Sequence, residues 1–251
     1  DTDKKREVED GVTGIVNGLE AFGVAPDEGV VAFGTEKGAY GPYTQSHRRA
    51  IYRAFAKKLM EEDKAYPCFC TPEDLDEIRA KQENEDIKGY YGAYAKCRDL
   101  TDEEIIEKVN NGIPFTVRLR SVGDISRKIK FEDMIKGKIE MSENVNDVVV
   151  LKADGIPTYH FAHAVDDHLM RTTHVVRGDE WIASVPVHIE LFKALGNKPL
   201  KYAHIAPIMK EENGGKRKLS KRKDPEANVS YYIEKGYPEA SVKEYMLTIL
   251  N

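Results

Sequence analysis

The sequence predicts an α/β fold opened by an inserted α+β piece and closed by helices. Three observations predict it. Helical and strand patterns alternate near both ends of the first 223 residues. A β-rich run from about residue 67 to residue 150 interrupts that alternation. A basic cluster then follows directly on a strand of the second α/β half, and ligands of open α/β sheets bind off the carboxyl ends of strands.

The elements follow in order. Val8, Val12, Ile15, Val16, Leu19 and Phe22 recur at helical spacing, so a helix is expected from about Arg6 to Phe22, stopped by Gly23. GAYGPY (38–43) is rich in turn residues and reads as a loop. Thr44 to Glu62 is a second long helix with Ile51, Phe55 and Leu59 on one face. AYPCFC (65–70) is a short strand. Thr71 then caps a helix with Pro72 at its first position and acids in its first turn. Thr101 repeats that grammar, with Gly112 as the stop.

PFTVRLR (114–120) alternates apolar and charged residues, as a half-buried strand does. KIKFEDMI (128–135), KGKIEM (136–141) and the run from Asp147 to Phe161 extend this β character, with Ala153–Gly155 as a turn between strands. THVVRGDE (173–180) is a strand leading into a helix from Ile182 to Leu195. KYAHIAPIM (201–209) is another strand. The tail from Val229 forms two helices broken at Gly236–Pro238. Four regions result: 1–66 and 151–223 as the two halves of one domain, 67–150 as the insert, and 224–251 as the start of a helical region.

Composition narrows the function classes. The 251 residues carry 38 Lys plus Arg against 43 Asp plus Glu, a formal charge of −5. Net acidity argues against general coating of nucleic acid, so any such contact is local. No segment approaches the roughly 18–20 apolar residues of a membrane helix. DTDKKREVED at the start is charged and carries no signal-peptide pattern. Three cysteines are too few for a disulfide scaffold and fit a reducing, cytoplasmic setting.

Four stretches carry chemistry. The first is GGKRKLSKRKD (214–224), which gathers six Lys and Arg between Lys216 and Lys223. Lys218 and Lys221 flank Ser220 closely enough to converge on one polyphosphate, and the glycine pair frees the loop to close. The spacing is not that of a Walker A loop, and a solvated basic turn is the bland alternative. The second is PTYHFAHAVDDHLM (157–170). His160, His163 and Asp167 share a helical face, a spacing that permits a metal site, a polar pocket lining or a structural network. The third is VVRGDEW (175–181), where Arg177 at a strand end offers a bidentate fork to a carboxylate, or pairs with Asp179 or Glu180. The fourth is Cys68-x-Cys70 with Cys97, three quarters of a zinc site, for which Asp99 or Tyr94 is a poor fourth ligand. Its bland alternative is a pair of small core residues and a stray thiol.

Taken together, these stretches resemble a known family. KLSKR is similar to the KMSKS loop of class I aminoacyl-tRNA synthetases. GPYTQS, CFC with its TPEDL helix, DGIPTYHFAHAVDDHLM, THVVRGDEW and YAHIAPIM resemble the glutamyl-tRNA synthetase family in the same order. DTDKKRE is similar to the segment that follows the family's first glutamate-contacting motif. The resemblance implies a Rossmann-like catalytic domain split by an α+β insert that grips the tRNA acceptor end, with a helical stem-contact start at the C-terminus.

It also implies roles. Lys221 would contact the ATP phosphates, assisted by Lys218 and Ser220. Pro207 and Ile208 would lie against adenine. Tyr159 and Arg177 would hold glutamate, Arg177 through the side-chain carboxylate, with Trp181 walling the pocket and Glu180 near it. His163 stands where the family often has Asn. Zinc-bearing members use a CxC with later ligands, a pattern this sequence meets only through Cys97. A buried guanidinium without a matching carboxylate costs several kcal/mol, so Arg177 favours glutamate over isosteric glutamine. The implied activity is ATP-dependent ligation of glutamate to tRNA through a glutamyl-adenylate, with Mg²⁺ accompanying ATP, in a cytoplasmic monomer. The family's His-Ile-Gly-His type signature would lie upstream of Asp1, and its anticodon-binding region beyond Asn251, so a core fragment, inactive alone, is expected. The alternatives are a paralogue glutamylating a modified tRNA base, a glutaminyl enzyme, and a non-catalytic RNA-binding module.

Overall fold

The computed structural model describes residues 11–212, 214–220 and 223–250. The expected helix start at Arg6 and Val8, the DTDKKRE segment and Lys221 lie outside the described residues. The chain runs α1 (Gly11–Ala21), β1 (Gly29–Ala32), β2 (Thr35–Lys37), α2 (Arg49–Glu61), β3 (Ala65–Cys68), α3 (Pro72–Lys81) and α4 (Asp102–Asn110). It continues through β4 (Thr116–Leu119), β5 (Lys128–Asp133), β6 (Gly137–Ser142), β7 (Val149–Leu151), α5 (Tyr159–Leu169), β8 (His174–Gly178) and α6 (Val185–Ala194). β9 (Lys201–Ile205), β10 (Met209–Glu212), β11 (Gly215–Lys218), α7 (Val229–Glu234) and α8 (Glu239–Leu250) complete it.

Local chemistry explains the sharpest boundaries. Thr71 accepts from the Asp74 backbone N–H while Asp74 accepts from the Thr71 N–H, a reciprocal capping box that starts α3. Thr101 and Glu104 start α4 in the same way. Gly112 ends that helix at φ +69°, a left-handed conformation that costs a glycine little. Residues Gln45–Arg48 form a 3-10 turn, so the long helix expected from Thr44 begins in regular form at Arg49.

Two sheets position the site. The antiparallel sheet β3–β4–β7 backs the main core. There Tyr52 and Leu59 of α2, Phe161 and Val165 of α5, and Leu191 and Phe192 of α6 pack against Val117, Leu119 and Val150. The second sheet has the order β6–β5–β9–β8, with β8, β9 and β5 parallel. Here α6 contributes Val185 and Ile189 against Tyr202, Ile129 and Phe131, so the helix serves both sheets. The β5–β6 hairpin, expected within the inserted run, pairs with β9 of the second half through Asp133 and Tyr202.

Other expectations shift at this level. The strand expected after the Ala153–Gly155 turn is a single bridge between Leu151 and Pro157, because α5 starts at Tyr159. The helix expected from Ile182 is a 3-10 turn through Ser184 before α6 begins at Val185. The strand expected through Met209 ends at Ile205, and Met209 opens a separate hairpin, β10–β11. A buried carboxylate joins the early segment to α5. Asp166 accepts from Arg48 Nε at 2.7 Å and Tyr52 Oη at 2.6 Å, while Arg48 donates to the Pro42 carbonyl at 2.6 Å. Among the described residues, no helix is long and apolar enough to cross a membrane.

Candidate active site

β8 and β9 run parallel in a register that sets Arg177 beside His204 and Val175 beside Tyr202. Alternation along a strand puts Arg177 and His204 on the same face of the sheet. Facing them, α5 presents Tyr159, His160, His163 and Asp167 at helical spacing, and α6 presents His188. Trp181 closes one side from the 3-10 turn after β8.

Arg177 is the centre of this arrangement. Its Nε donates to His204 Nε2 at 3.0 Å, and its Nη2 donates to His188 Nδ1 at 3.2 Å. The guanidinium lies 4.8 Å from the Tyr202 ring centroid and 6.0 Å from that of Trp181. Neither Asp179 nor Glu180 is an ion-pair partner: Asp179 lies 3.6 Å from Lys136, and Glu180 lies 3.3 Å from Lys218. Nη1 is buried and has no hydrogen-bond partner among the described residues. A buried guanidinium nitrogen without an acceptor is costly, so this nitrogen is suited to a ligand oxygen.

The donors and acceptors fix the imidazole tautomers. Arginine only donates. His204 Nε2 and His188 Nδ1 therefore accept, and the proton of each ring sits on its other nitrogen. His204 Nδ1 donates to Asp133 at 2.6 Å, and His188 Nε2 donates to His160 Nδ1 at 2.9 Å. Burial pushes the His188 ring far toward the neutral form, its pKa falling to about 2, with repulsion from its charged neighbours adding to the effect. Burial opposes the charge on Asp133, but backbone N–H groups and the His204 ring outweigh it and hold the carboxyl below its usual range.

Of the residues expected to line a glutamate pocket, Tyr159, His163 and Trp181 gather around Arg177, while Glu180 turns to Lys218. Tyr159 packs against Trp181 at 4.2 Å between ring centroids with the planes tilted by 36°, and lies parallel to His163 at 6.0 Å. His163 pairs through Nδ1 with Asp167 and through Nε2 with the Tyr202 hydroxyl at 3.1 Å. His160 turns instead to His188, so His160, His163 and Asp167 do not converge as metal ligands, and of the open readings the polar lining fits.

The basic segment is a hairpin before it is a loop. Gly214, at φ +77°, supports the turn from β10 into β11, so Lys216–Lys218 are strand residues. Arg217 spends its charge internally, donating to Glu212 at 2.6 Å and to Asp224 at 2.6 and 2.8 Å. Asp224 is buried and also accepts from the Ser220 N–H at 2.9 Å. The Arg217 guanidinium and that N–H hold its carboxyl well below the usual range. Leu219 N–H donates to the Ile208 carbonyl at 2.9 Å, which sets Pro207 and Ile208 beside Lys218 and Ser220. Lys218 reaches Glu180 at 3.3 Å, linking the hairpin to the Arg177 pocket.

The cysteines form a second candidate site. Their sulfurs lie within 4.8 Å of one another, with Cys70 and Cys97 at 3.7 Å. Tetrahedral zinc with bonds of about 2.3 Å needs sulfurs roughly 3.8 Å apart. The Tyr90 hydroxyl completes the group, 3.5 Å from Cys68 and 3.2 Å from Cys70. Neither residue suggested by the sequence takes that place: Tyr94 donates to Glu85, and Asp99 is exposed beside Arg120. A hydrogen bond from Cys97 lowers the Cys68 thiol to about 4 against the cost of its burial, while Cys97 is raised by that same pairing and by burial. The three cysteines are free thiols whose sulfurs lie close enough together to share one metal ion.

The fold sets a pocket centred on Arg177 and a basic hairpin near the carboxyl ends of parallel strands, the place where open α/β enzyme cores bind their ligands. The chain belongs to the family of class I tRNA synthetases (E and Q), catalytic domain, whose model matches residues 1–249. It is 52% identical over 252 residues to the glutamate–tRNA ligase of Clostridium perfringens (strain 13 / Type A), covering 100% of this chain and 46% of that protein. The glutamate–tRNA ligase of Sorangium cellulosum (strain So ce56) is 46% identical over 278 residues, with 100% and 49% covered. The chain thus spans about half the length of these relatives. A crystal structure of a glutamate–tRNA ligase from Elizabethkingia meningosepticum, in complex with its amino acid, superposes with a TM-score of 0.77 at 38% identity, covering 90% of this chain and 45% of that one.

His188, His204, Asp133, Asp224 and Tyr90 were not singled out from the sequence. His188 sits in an ordinary apolar helix, and Asp133 ends a strand more than seventy residues from its partner. Only His204, within the YAHIAPIM strand next to the expected adenine contacts, carried a signal that spacing could have used.

Proposed function

We propose that the full-length protein ligates glutamate to tRNA. The observation that carries this reading is Arg177, a partly enclosed guanidinium held by neutral acceptors, with one buried nitrogen that has no partner among the described residues. Such a group fits the side-chain carboxylate of glutamate and penalises the carboxamide of glutamine. Tyr159, His163 and Trp181 line the same pocket, and Glu180, three residues after Arg177, pairs with Lys218 of the basic hairpin.

The α-carboxylate of glutamate attacks the α-phosphorus of ATP, the bond to the pyrophosphate oxygen breaks, and glutamyl-adenylate forms. The terminal ribose hydroxyl of tRNA then attacks the glutamyl carbonyl carbon and AMP leaves. No side-chain nucleophile is needed; the protein positions the reactants and stabilises charge on the phosphates. Pro207 and Ile208 would rest against adenine, while Lys218, Ser220 and Lys221 would meet the phosphates. Mg²⁺ bound with ATP neutralises phosphate charge. In the second site Cys68, Cys70, Cys97 and Tyr90 would hold zinc, which would clamp β3 to the segment after α3. The protein works as a monomer in the cytoplasm under this reading.

Glutamate-dependent, tRNA-stimulated ATP–pyrophosphate exchange on the full-length protein tests the reading. Exchange with glutamate and not with glutamine is expected. Absence of exchange with salt-sensitive RNA binding retained would make the chain an RNA-binding module.

A further inference from the structure

Most guanidinium groups held in a protein interior are neutralised by a carboxylate. Arg177 is not. Among the described residues its partners are two imidazoles, the Trp181 carbonyl at 3.5 Å, and two aromatic faces. The nearby acids are each diverted. Asp133 has its oxygens filled by His204 Nδ1 at 2.6 Å and by the backbone N–H groups of Ile135 at 3.0 Å and Lys136 at 2.9 Å. Asp167 is engaged by His163.

We propose that His188 and His204 are the positioning residues that make this pocket select a carboxylate over a carboxamide, by aiming Arg177 with neutral acceptors that leave its charge for the ligand. The proposal rests on the reading of Arg177 as the receiver of the ligand side chain.

The chemistry of each partner fits that role. A carboxylate in place of either ring would hold the guanidinium as firmly, but it would neutralise the group before the ligand arrived. An anionic side chain would then meet an ion pair, and its advantage over an amide would vanish. A neutral acceptor fixes the same two nitrogens without that loss. His204 can accept only because Asp133 holds its proton on Nδ1, and His188 can accept only because its Nε2 proton is spent on His160. Two of the guanidinium's three nitrogens are thus fixed by imidazoles, while the third, Nη1, stays buried and without a partner among the described residues.

The test uses the full-length protein and three substitutions: His188→Glu, His188→Gln and Arg177→Ala. Steady-state exchange gives KM for glutamate and for ATP, and the ratio of kcat/KM for glutamate over glutamine. His188→Glu is expected to lower that ratio by about tenfold to a hundredfold, the scale of losing one charged contact, with the ATP KM within about twofold. His188→Gln keeps a neutral acceptor and is expected to hold the ratio within about threefold. Should His188→Glu not fold, His188→Leu removes the acceptor without adding charge, and a raised glutamate KM at unchanged ATP KM is the expected result. A ratio unchanged in His188→Glu, or a glutamate KM unchanged in His188→Leu if that variant is used, while kcat or Tm falls would overturn the proposal and reduce the histidines to packing. An unchanged glutamate KM in Arg177→Ala would overturn the underlying reading instead, so the two failures are distinct.

Discussion

Arg177 shows how much a single residue can reveal and how much it hides. Its type and place after an apolar strand pointed to carboxylate recognition, and the structure puts Tyr159, His163 and Trp181 around it. Its supports were not legible. His188 and His204 matter because of which nitrogen each presents, and that depends on Asp133 and His160 across the fold. No local pattern encodes a tautomer. Tyr90 escaped for a related reason: it completes the cysteine group only because the segment after α3 folds back onto β3. Elemental analysis of the purified protein is expected to give one zinc per chain, and Tyr90→Phe to bind it about tenfold or more weakly; zinc retained at full affinity in Tyr90→Phe would remove Tyr90 from the ligand set. His188 also makes a pH prediction. Folded, it stays neutral down to about pH 2, whereas the unfolded ring takes a proton near 6.5. The unfolded chain therefore binds more protons between those limits, and stability falls as pH drops, by roughly 1.4 kcal/mol per pH unit for this group. Denaturation midpoints at pH 7 and pH 5 should fall less in His188→Gln than in the wild type, and equal losses would contradict the assignment.

Elements with a strong local grammar were legible, and those built by distant pairing were not. Thr71 and Thr101 announce their helices through capping boxes that need only four neighbouring residues. Thr101→Ala is expected to cost about 0.5–2 kcal/mol, measured as a lowered urea midpoint with unchanged slope. A loss below detection would mean that α4 is held by packing alone. The β1–β2 hairpin was missed because its strands are only 4 and 3 residues long and largely exposed, leaving no alternation to read. The β5–β6 hairpin was recognised as strands, but its partner strand was not. Its alternation says which face is buried, while its pairing with β9 depends on Asp133 meeting Tyr202 across the chain. In the basic stretch, residue type suggested a mobile loop, yet Arg217, Glu212 and Asp224 make its first half a pinned strand.

Across the molecule, the two sheets share α6, and that helix couples the core to the pocket. Its Leu191 and Phe192 are fully buried against the first sheet, and His188 on the same helix reaches Arg177. The position of the guanidinium therefore depends on how α6 packs, and core substitutions on that helix should be felt in glutamate binding before they are felt in ATP binding. The order of motifs was legible over the whole chain and led to the family its model confirms. The measurement that tests the central claim most directly is glutamate-dependent pyrophosphate exchange in full-length Arg177→Ala. The account predicts a glutamate KM raised by about a hundredfold or more, a glutamate-over-glutamine preference reduced to near unity, and an ATP KM within about twofold of the wild type. An unchanged glutamate KM, or equal losses for glutamate and ATP, would contradict it.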